Sequence, residues 1–169
     1  MTNATIIRKA YDDFANGDIP AVLQAFDTSI IWHVPGHSPL SGDYKGPDEI
    51  VGFFKHTSAL CGGTFAIEVQ HVLAEEDVVV ALVTVKAERN GRPAAFPEVH
   101  VWRLVNEKIT EFREFQGDEQ TEDRFWSYRT LLGGATVADS REALDTSVLP
   151  HHLMRQVGPL SAGLSGTGN

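Results

Sequence analysis

Residues 92–118 constrain the fold of this chain more than any other stretch. Two strand-like runs, PEVHVWRLV and KITEFREFQ, flank the two-residue turn Asn106-Glu107, a pattern that predicts a β-hairpin. Because strand side chains alternate between two faces, every second residue of each run shares a face. These residues are His100 and Trp102 in the first run, and Phe112, Glu114 and Gln116 in the second. If both faces line a concavity, a histidine and a carboxylate meet beside aromatic rings, a combination typical of acid/base sites.

Size, charge and cysteine content exclude several classes of protein. The chain has 169 residues, so one domain is expected. Its net charge is −9 and it has no long cluster of lysine and arginine, so nucleic acid and anionic membranes are poor partners. The single cysteine, Cys61, excludes an intrachain disulfide and a multi-cysteine metal site, and it is interpreted as a buried or half-buried thiol in preference to a nucleophile. There is no apolar run of about 20 residues. The start, MTNATIIRKAYDD, lacks a signal-peptide pattern, so we expect a cytoplasmic protein.

The first third of the chain predicts helices. Apolar residues recur with a helical period over 4–16, 19–27 and 47–59. Asn16-Gly17 separates the first two helices, since glycine accepts the left-handed conformation that ends a helix. Between the second and third helices, residues 29–34 predict a strand, followed by a turn-rich segment.

From Thr64 onward the apolar period changes to two. The run DVVVALVTVKAE predicts a central strand, and Asn90-Gly91 after it is a strong hairpin signal. Helices first and strands afterwards favour an α+β fold. We therefore predict a curved antiparallel sheet with three N-terminal helices on one face, which together enclose a cone-shaped pocket.

The end of the chain has a different character. We predict a domain over residues 1–128 and a C-terminal extension over 129–169 that is partly helical. Asp139 with Glu142 forms a capping-box pattern for a short helix, and the final GLSGTGN is expected to be disordered. The extension either covers the pocket mouth or a partner subunit, or is a loosely attached appendage.

Further residues are predicted to line the pocket. Trp32 and Val34 alternate along their strand, so both face inward. Tyr11 lies on the apolar stripe of the first helix, where it either packs against the sheet or presents its hydroxyl to a ligand. Glu98 shares a face with His100 but is placed near the start of its strand, where solvent is the simplest neighbour.

The two candidate catalytic residues have structural alternatives. His100 alternatively serves as an ordinary core histidine. Glu114 alternatively lies on a solvated face, because Glu111 and Arg113 make its strand polar on both sides. The other histidines lack a metal-binding spacing with a third ligand, and no phosphate-binding loop is present, so no metal or cofactor is expected.

Four segments in order resemble the SnoaL-like branch of the nuclear-transport-factor-2-like superfamily, which includes polyketide cyclases and ketosteroid isomerase. They are YDDFANGDIPAVLQAF, IIWHVPGHSPLSGDYKGPDEIVGFF, VHVWRL and KITEFREFQGDEQTEDRFW, within about residues 4 to 127. The resemblance implies the cone fold and a homodimer paired through the outer sheet face. It also places the general base of the cyclases at Glu114, where they carry aspartate, and their histidine at His100.

The resemblance implies an acid/base enzyme that needs no cofactor. Its substrate would be a small, apolar, oxygenated molecule of polyketide or terpenoid type, undergoing cyclisation, isomerisation or elimination after proton abstraction. The base of ketosteroid isomerase would fall near Val34, which cannot titrate, and this argues against steroid isomerisation. The alternative is a module of the same fold that binds a small molecule or dimerises without catalysis, since one fold hosts many functions.

Overall fold

The computed structural model describes residues 1–130 and 136–138. The helices are α1 (Asn3–Ala15), α2 (Ile19–Gln24), α3 (Gly46–Leu60) and α4 (Glu119–Ser127). The strands are β1 (Phe26–Val34), β2 (Gly42–Lys45), β3 (Ala66–Glu75), β4 (Val78–Arg89), β5 (Arg92–Val105), β6 (Lys108–Gln116), β7 (Tyr128–Thr130) and β8 (Thr136–Ala138). The predicted α+β fold is confirmed. The helix predicted after Asp139 and the disordered end lie outside the described residues.

The N-terminal helices begin at the residues that the sequence indicates. The Thr2 side chain accepts a hydrogen bond from the amide of Thr5 at 3.3 Å, and the Asp18 side chain accepts one from the amide of Ala21 at 3.1 Å. The second helix ends at Gln24, three residues earlier than predicted. The reason is that Phe26 is buried in the core and already belongs to β1, so tertiary packing overrides the helical pattern.

A six-stranded sheet in the order β2-β1-β6-β5-β4-β3 forms the wall behind these helices. Both predicted hairpins are present. Asn90 and Gly91 have φ values of 53° and 72°, and Asn106 and Glu107 have values of 49° and 62°. Positive φ at both turn residues matches the twist of antiparallel strands. The first turn fixes the register of β4 with β5, whereas the register of β5 with β6 shifts by one residue between Arg103 and Leu104.

One pair of strands departs from the antiparallel pattern. The first strand, β1, runs parallel to β6, and places Trp32 beside Phe112. The rings of these two residues stack with centroids 3.8 Å apart. The parallel pairing joins the start of the sheet to its last long strand and brings Trp32 to the inner face, as the sequence predicted.

The fourth helix was not predicted. Residues 119–124 are all polar, and along α4 only Glu122 and Trp126 are buried. Asp118 starts the helix by accepting a hydrogen bond from the amide of Thr121 at 3.1 Å. Since Glu122 and Trp126 are four residues apart, they share the face that α4 turns toward the protein interior.

None of the helices in the described part of the chain is long and apolar enough to cross a membrane. Cys61 is buried, as interpreted, and its thiol donates to the carbonyl oxygen of Thr57 at 3.1 Å.

Candidate functional site

A cavity of about 420 Å³ lies between the inner face of the sheet and the helices. This volume is within the range of about 300–1,000 Å³ that is common for small-molecule sites. Ten aromatic side chains contribute to its wall: Tyr11, Phe14, Phe26, Trp32, Phe53, Phe54, Phe65, Trp102, Phe112 and Trp126. Its acidic and amide side chains are Glu98, Glu114, Gln116 and Glu122, which lie near His100.

The cavity wall contains every residue that the sequence assigned to the pocket. They are Tyr11, Trp32, Val34, Glu98, His100, Trp102, Phe112 and Glu114. The hairpin register explains why the β5 and β6 residues meet: His100 lies opposite Glu114, and Trp102 lies opposite Phe112. Residues two apart on one strand share a face, so this register places both pairs on the inner face.

His100 is held from both sides. Only 3% of it is exposed, and its Nδ1 lies 2.8 Å from the Tyr11 hydroxyl. Its Nε2 lies 2.9 Å from Oε2 of Glu98. The Tyr11 hydroxyl also accepts a hydrogen bond from Nε1 of Trp102 at 3.1 Å. Tyr11 therefore both packs against the sheet and presents its hydroxyl to the polar cluster.

Glu98 does not face solvent, which corrects the expectation from the sequence. It is 6% exposed and lies in the middle of its strand, because β5 begins at Arg92 directly after the Asn90-Gly91 turn. The sequence contained this information, since a two-residue turn lets the next strand begin at once.

The ionisation of the His100–Glu114 pair is shifted strongly by the surroundings. Burial lowers the pKa of His100 to about 4, against the opposing effect of the nearby Glu114 carboxylate. Burial, followed by the charge of Glu98, raises the pKa of Glu114 to about 8. A hydrogen bond from Nε2 of Gln116 to Oε1 of Glu114, at 2.7 Å, acts in the opposite direction.

Glu122 is a site residue that the sequence analysis missed. It is 1% exposed and lines the cavity from α4. Burial, followed by the charge of Glu98, raises the pKa of Glu122, and burial also raises the pKa of Glu98. A signal was present, because Glu122 is spaced four residues from Trp126 on one face of a helix.

Two groups of side chains in the described part of the chain could hold a metal ion. Glu98, His100 and Glu114 present ligand atoms within 4.8 Å of one another inside the cavity. His37, Glu119 and Asp123 do the same at a more exposed position. In the cavity group, both nitrogens of His100 are already engaged in hydrogen bonds, so a metal would have to displace one of those partners.

Comparison with known proteins identifies the family. A family model described as a SnoaL-like domain matches residues 7–112. The chain belongs to the SnoaL-like family. This SnoaL-like chain is 28% identical over 123 residues to the uncharacterised protein Rv0034 of Mycobacterium tuberculosis, a match that covers 72% of this chain and 94% of that protein.

Solved structures agree with this assignment and with the predicted fold. Bal32a, from a soil-derived mobile gene cassette, is 33% identical with a TM-score of 0.71, covering 73% of this chain and 95% of Bal32a. An NTF2-like protein from Burkholderia pseudomallei is 26% identical with a TM-score of 0.68, covering 75% of this chain and 99% of that protein. The resemblance inferred from the sequence motifs is thus confirmed at the level of family and fold.

Proposed function

We propose that this SnoaL-like protein is an acid/base enzyme that acts, without a cofactor, on a small, largely apolar, oxygenated molecule. The observation that carries the proposal is the position of Glu114, which is half-buried and lines an aromatic cavity. A carboxylate whose pKa is raised to about 8 is a far stronger base than an ordinary glutamate. General bases are most effective when their pKa lies near the working pH.

Glu114 is the proposed base for removal of a proton from carbon. Gln116 donates to its Oε1, which leaves Oε2 for the substrate. The proton of a C–H bond next to a carbonyl moves to Glu114, and the electron pair of that bond moves into the carbonyl to give an enolate. Cyclisation, isomerisation or elimination can each follow from that enolate.

His100 is the proposed partner that stabilises the enolate oxygen or returns a proton. At rest it is neutral at pH 7, because burial lowers its pKa. Its two nitrogens contact Tyr11 and Glu98. A substrate oxygen can therefore reach a His100 proton directly only by replacing one of these contacts. Alternatively, the substrate oxygen receives a proton through the Tyr11 hydroxyl. Donors aimed at a developing negative charge are a major source of catalysis.

The shape of the cavity supports a flat, apolar substrate. Its aromatic walls offer stacking surfaces, and its volume suits a ligand of a few fused or linked rings. TerC, a protein of the same fold that is 22% identical with a TM-score of 0.66, was co-crystallised with polyporic acid. A polyketide- or terpenoid-like molecule with a ketone group is therefore the proposed substrate class.

Exchange of carbon-bound hydrogen tests the proposal without knowledge of the natural substrate. The protein is incubated in D₂O with a panel of aromatic ketones that carry an acidic C–H bond, and deuterium uptake is followed by mass spectrometry. Glu114→Gln should slow catalysed exchange by about 10²-fold or more, the usual contribution of a general base. Glu111→Gln is the matched control, because Glu111 lies on β6 three residues away and contacts Arg103 and Arg113 instead. Equal exchange in both variants would remove Glu114 from the mechanism.

The aromatic lining also favours a second candidate, a protein that binds such a molecule without transforming it. Since the pKa of Glu114 is about 8, this carboxyl group is neutral in most molecules at pH 7, and a neutral group suits an apolar ligand. Binding of the panel compounds by wild type, with no exchange above the buffer rate for any compound, would favour this candidate.

A further inference from the structure

A groove separate from the cavity lies between α4 and the tip of the β4–β5 hairpin. Its volume is about 230 Å³, and it shares no lining residue with the cavity in the described part of the chain. Among the described residues that line it, three are arginines, Arg89, Arg92 and Arg124, and none is aspartate or glutamate. In a chain with a net charge of −9, such a groove is a local exception that calls for a negatively charged occupant.

Local structure brings the three arginines to one place. Arg89 and Arg92 lie directly opposite each other across the Asn90-Gly91 turn, and residues paired in this way point to the same face of a sheet. On α4, Arg124 follows Thr121 by three residues, so the two side chains share a face of the helix, and both line the groove. The end of the hairpin and one face of α4 therefore present positive charge to the same groove.

Arg89 is the arginine that the protein holds in place. It is 9% exposed, and its Nε donates to the carbonyl oxygen of Leu60 at 3.0 Å. Its Nη1 donates to the carbonyl oxygen of Phe125, and its guanidinium carbon lies 5.9 Å from the centroid of the Phe125 ring. An arginine stays protonated even when it is buried. Arg89 therefore contributes a positive charge in a fixed position within the groove.

Arg92 and Arg124 carry charges that the described residues do not pair. Both side chains are exposed, and within residues 1–130 and 136–138 neither forms an ion pair, in contrast to Arg103 and Arg113. Like charges directly opposite each other destabilise a pair of strands, and Arg92 lies opposite Arg89. An anion bound between the hairpin and α4 would offset this repulsion.

The groove also has an apolar floor, which indicates what the anion is attached to. The rings of Phe96 and Phe125 meet edge to face with centroids 5.2 Å apart, and Ala94 lines the groove with them. The fork of an arginine side chain matches two oxygens of a phosphate or a carboxylate. Because the volume lies below the range of about 300–1,000 Å³ that is common for small-molecule sites, the ligand should be small, such as a single ring that carries one oxyanion.

We propose that this groove binds a small organic oxyanion, a phosphate ester or a carboxylate. Its oxygens accept hydrogen bonds from Arg92 and Arg124, and its apolar part lies against Phe96 and Phe125. Arg89 adds positive charge while it keeps its contacts with the backbone. The site does not rest on the proposed enzyme function, because the groove and the cavity have different lining residues.

An NMR titration of the isotope-labelled full chain with phenyl phosphate tests the site. The ionic strength is held at about 0.15 M, because added salt would screen the exposed charges. The backbone amide signals of Gly91 and Thr121 should shift to saturation. Arg92→Gln and Arg124→Gln should each raise the Kd by about tenfold or more, the usual effect of losing a hydrogen bond to a charged group. Arg103→Gln is the matched control, because it removes the same charge from an exposed position of β5 outside the groove.

Related probes separate the two parts of the ligand. Phenol has the ring without the oxyanion and should leave the signals of Gly91 and Thr121 unchanged, and inorganic phosphate has the oxyanion without the ring and should bind more weakly. Benzoate carries the same ring with a carboxylate, so its Kd beside that of phenyl phosphate shows which oxyanion the groove prefers. Absence of saturable shifts in wild type would overturn the proposal. Equal Kd values in Arg92→Gln, Arg124→Gln and the Arg103→Gln control would overturn it as well.

Discussion

His100 lies directly opposite Glu114 across the β5–β6 pair, and the pKa values of the two residues are shifted in opposite directions. Burial disfavours the charged form of each residue, so it lowers the pKa of the base and raises the pKa of the acid. The result at pH 7 is a pair that is mostly uncharged within an aromatic cavity. This arrangement gives the protein a pH dependence that can be measured without knowledge of its substrate.

Replacing Glu114 by glutamine should stabilise the protein at alkaline pH. The unfolded chain releases the Glu114 proton near pH 4.5, whereas the folded protein retains it up to about pH 8. Wild-type stability therefore falls as the pH rises through this window, and Glu114→Gln removes that contribution. The gain should grow above pH 4.5 and become constant above about pH 8. The pKa shift sets an upper bound of about 1.4 kcal/mol per pKa unit on the gain in free energy of unfolding. Because water in the cavity screens the carboxylate, we expect a gain on the order of 2 kcal/mol.

Urea unfolding at a series of pH values measures this gain. His100 changes the free energy of unfolding with pH in the opposite sense, because its pKa of about 4 in the folded protein lies below the ordinary value of 6.5. Its contribution is lost as the pH falls from 6.5 to 4, and it should persist in Glu114→Gln. A gain that does not vary between pH 5 and pH 8 would mean that Glu114 is not held neutral in the folded protein.

Removing the Tyr11 hydroxyl should cost more than removing another tyrosine hydroxyl. Tyr11→Phe leaves both Nε1 of Trp102 and Nδ1 of His100 without their partner. Tyr44→Phe removes a hydroxyl that donates only to the carbonyl oxygen of Leu40, at 2.7 Å in a half-buried position. We expect a loss of roughly 2–3 kcal/mol for Tyr11→Phe and about 1 kcal/mol for Tyr44→Phe, from the cost of orphaned buried groups. Thermal or urea unfolding of both variants shows which substitution lowers the free energy of unfolding more.

A methyl group at Gly36 should disturb the contact between the β1–β2 connection and α4. An added Cβ would lie 2.4 Å from Oδ1 of Asp123, whose carboxylate accepts the backbone N–H of His37 at 2.8 Å. Gly62 also has a positive φ, but nothing lies within 4 Å of its added Cβ. Gly62→Ala therefore measures backbone strain alone, about 1 kcal/mol. Gly36→Ala should lose more stability than this control, and equal losses would show that the Asp123 contact adapts freely.

The outer face of the sheet should mediate a homodimer. Phe115 is 50% exposed there and lies opposite Val99, which in turn lies opposite Leu82 on β4. Exposed apolar surface of this kind favours association of two copies through the same patch. Phe115→Glu should shift sedimentation at micromolar concentration from dimer to monomer. Val105→Glu, at an exposed position beside the hairpin turn, serves as the control. A monomeric wild type would contradict the proposal.

The parts of the site that depend on local pattern could be predicted from the sequence. Period-two alternation predicts that His100 shares a face with Trp102 and that Glu114 shares a face with Phe112. Their pairing could not be predicted from the two-residue turn, because a register shift between Arg103 and Leu104 moves His100 from opposite Arg113 to opposite Glu114. The parallel pairing of β1 with β6 could not be predicted in this way, since the alternation within a strand does not state which strand lies beside it. Helix α4 was missed because its buried face consists mainly of Glu122 and Trp126, a face too narrow to produce a clear apolar stripe.

The contact between Trp32 and Phe112 has a consequence for the order in which this protein folds during synthesis. The two strands that carry these residues are among the first and the last of the large sheet to leave the ribosome. Pairings between distant segments incur a loop-closure cost and therefore tend to form late. The hairpins can form as they emerge, but the pairing of β1 with β6 can form only after β6, near the end of the domain, has been synthesised. A chain cut short before β6 would thus expose its aromatic interior to water, and a ligand could be enclosed only after nearly the whole domain has been made.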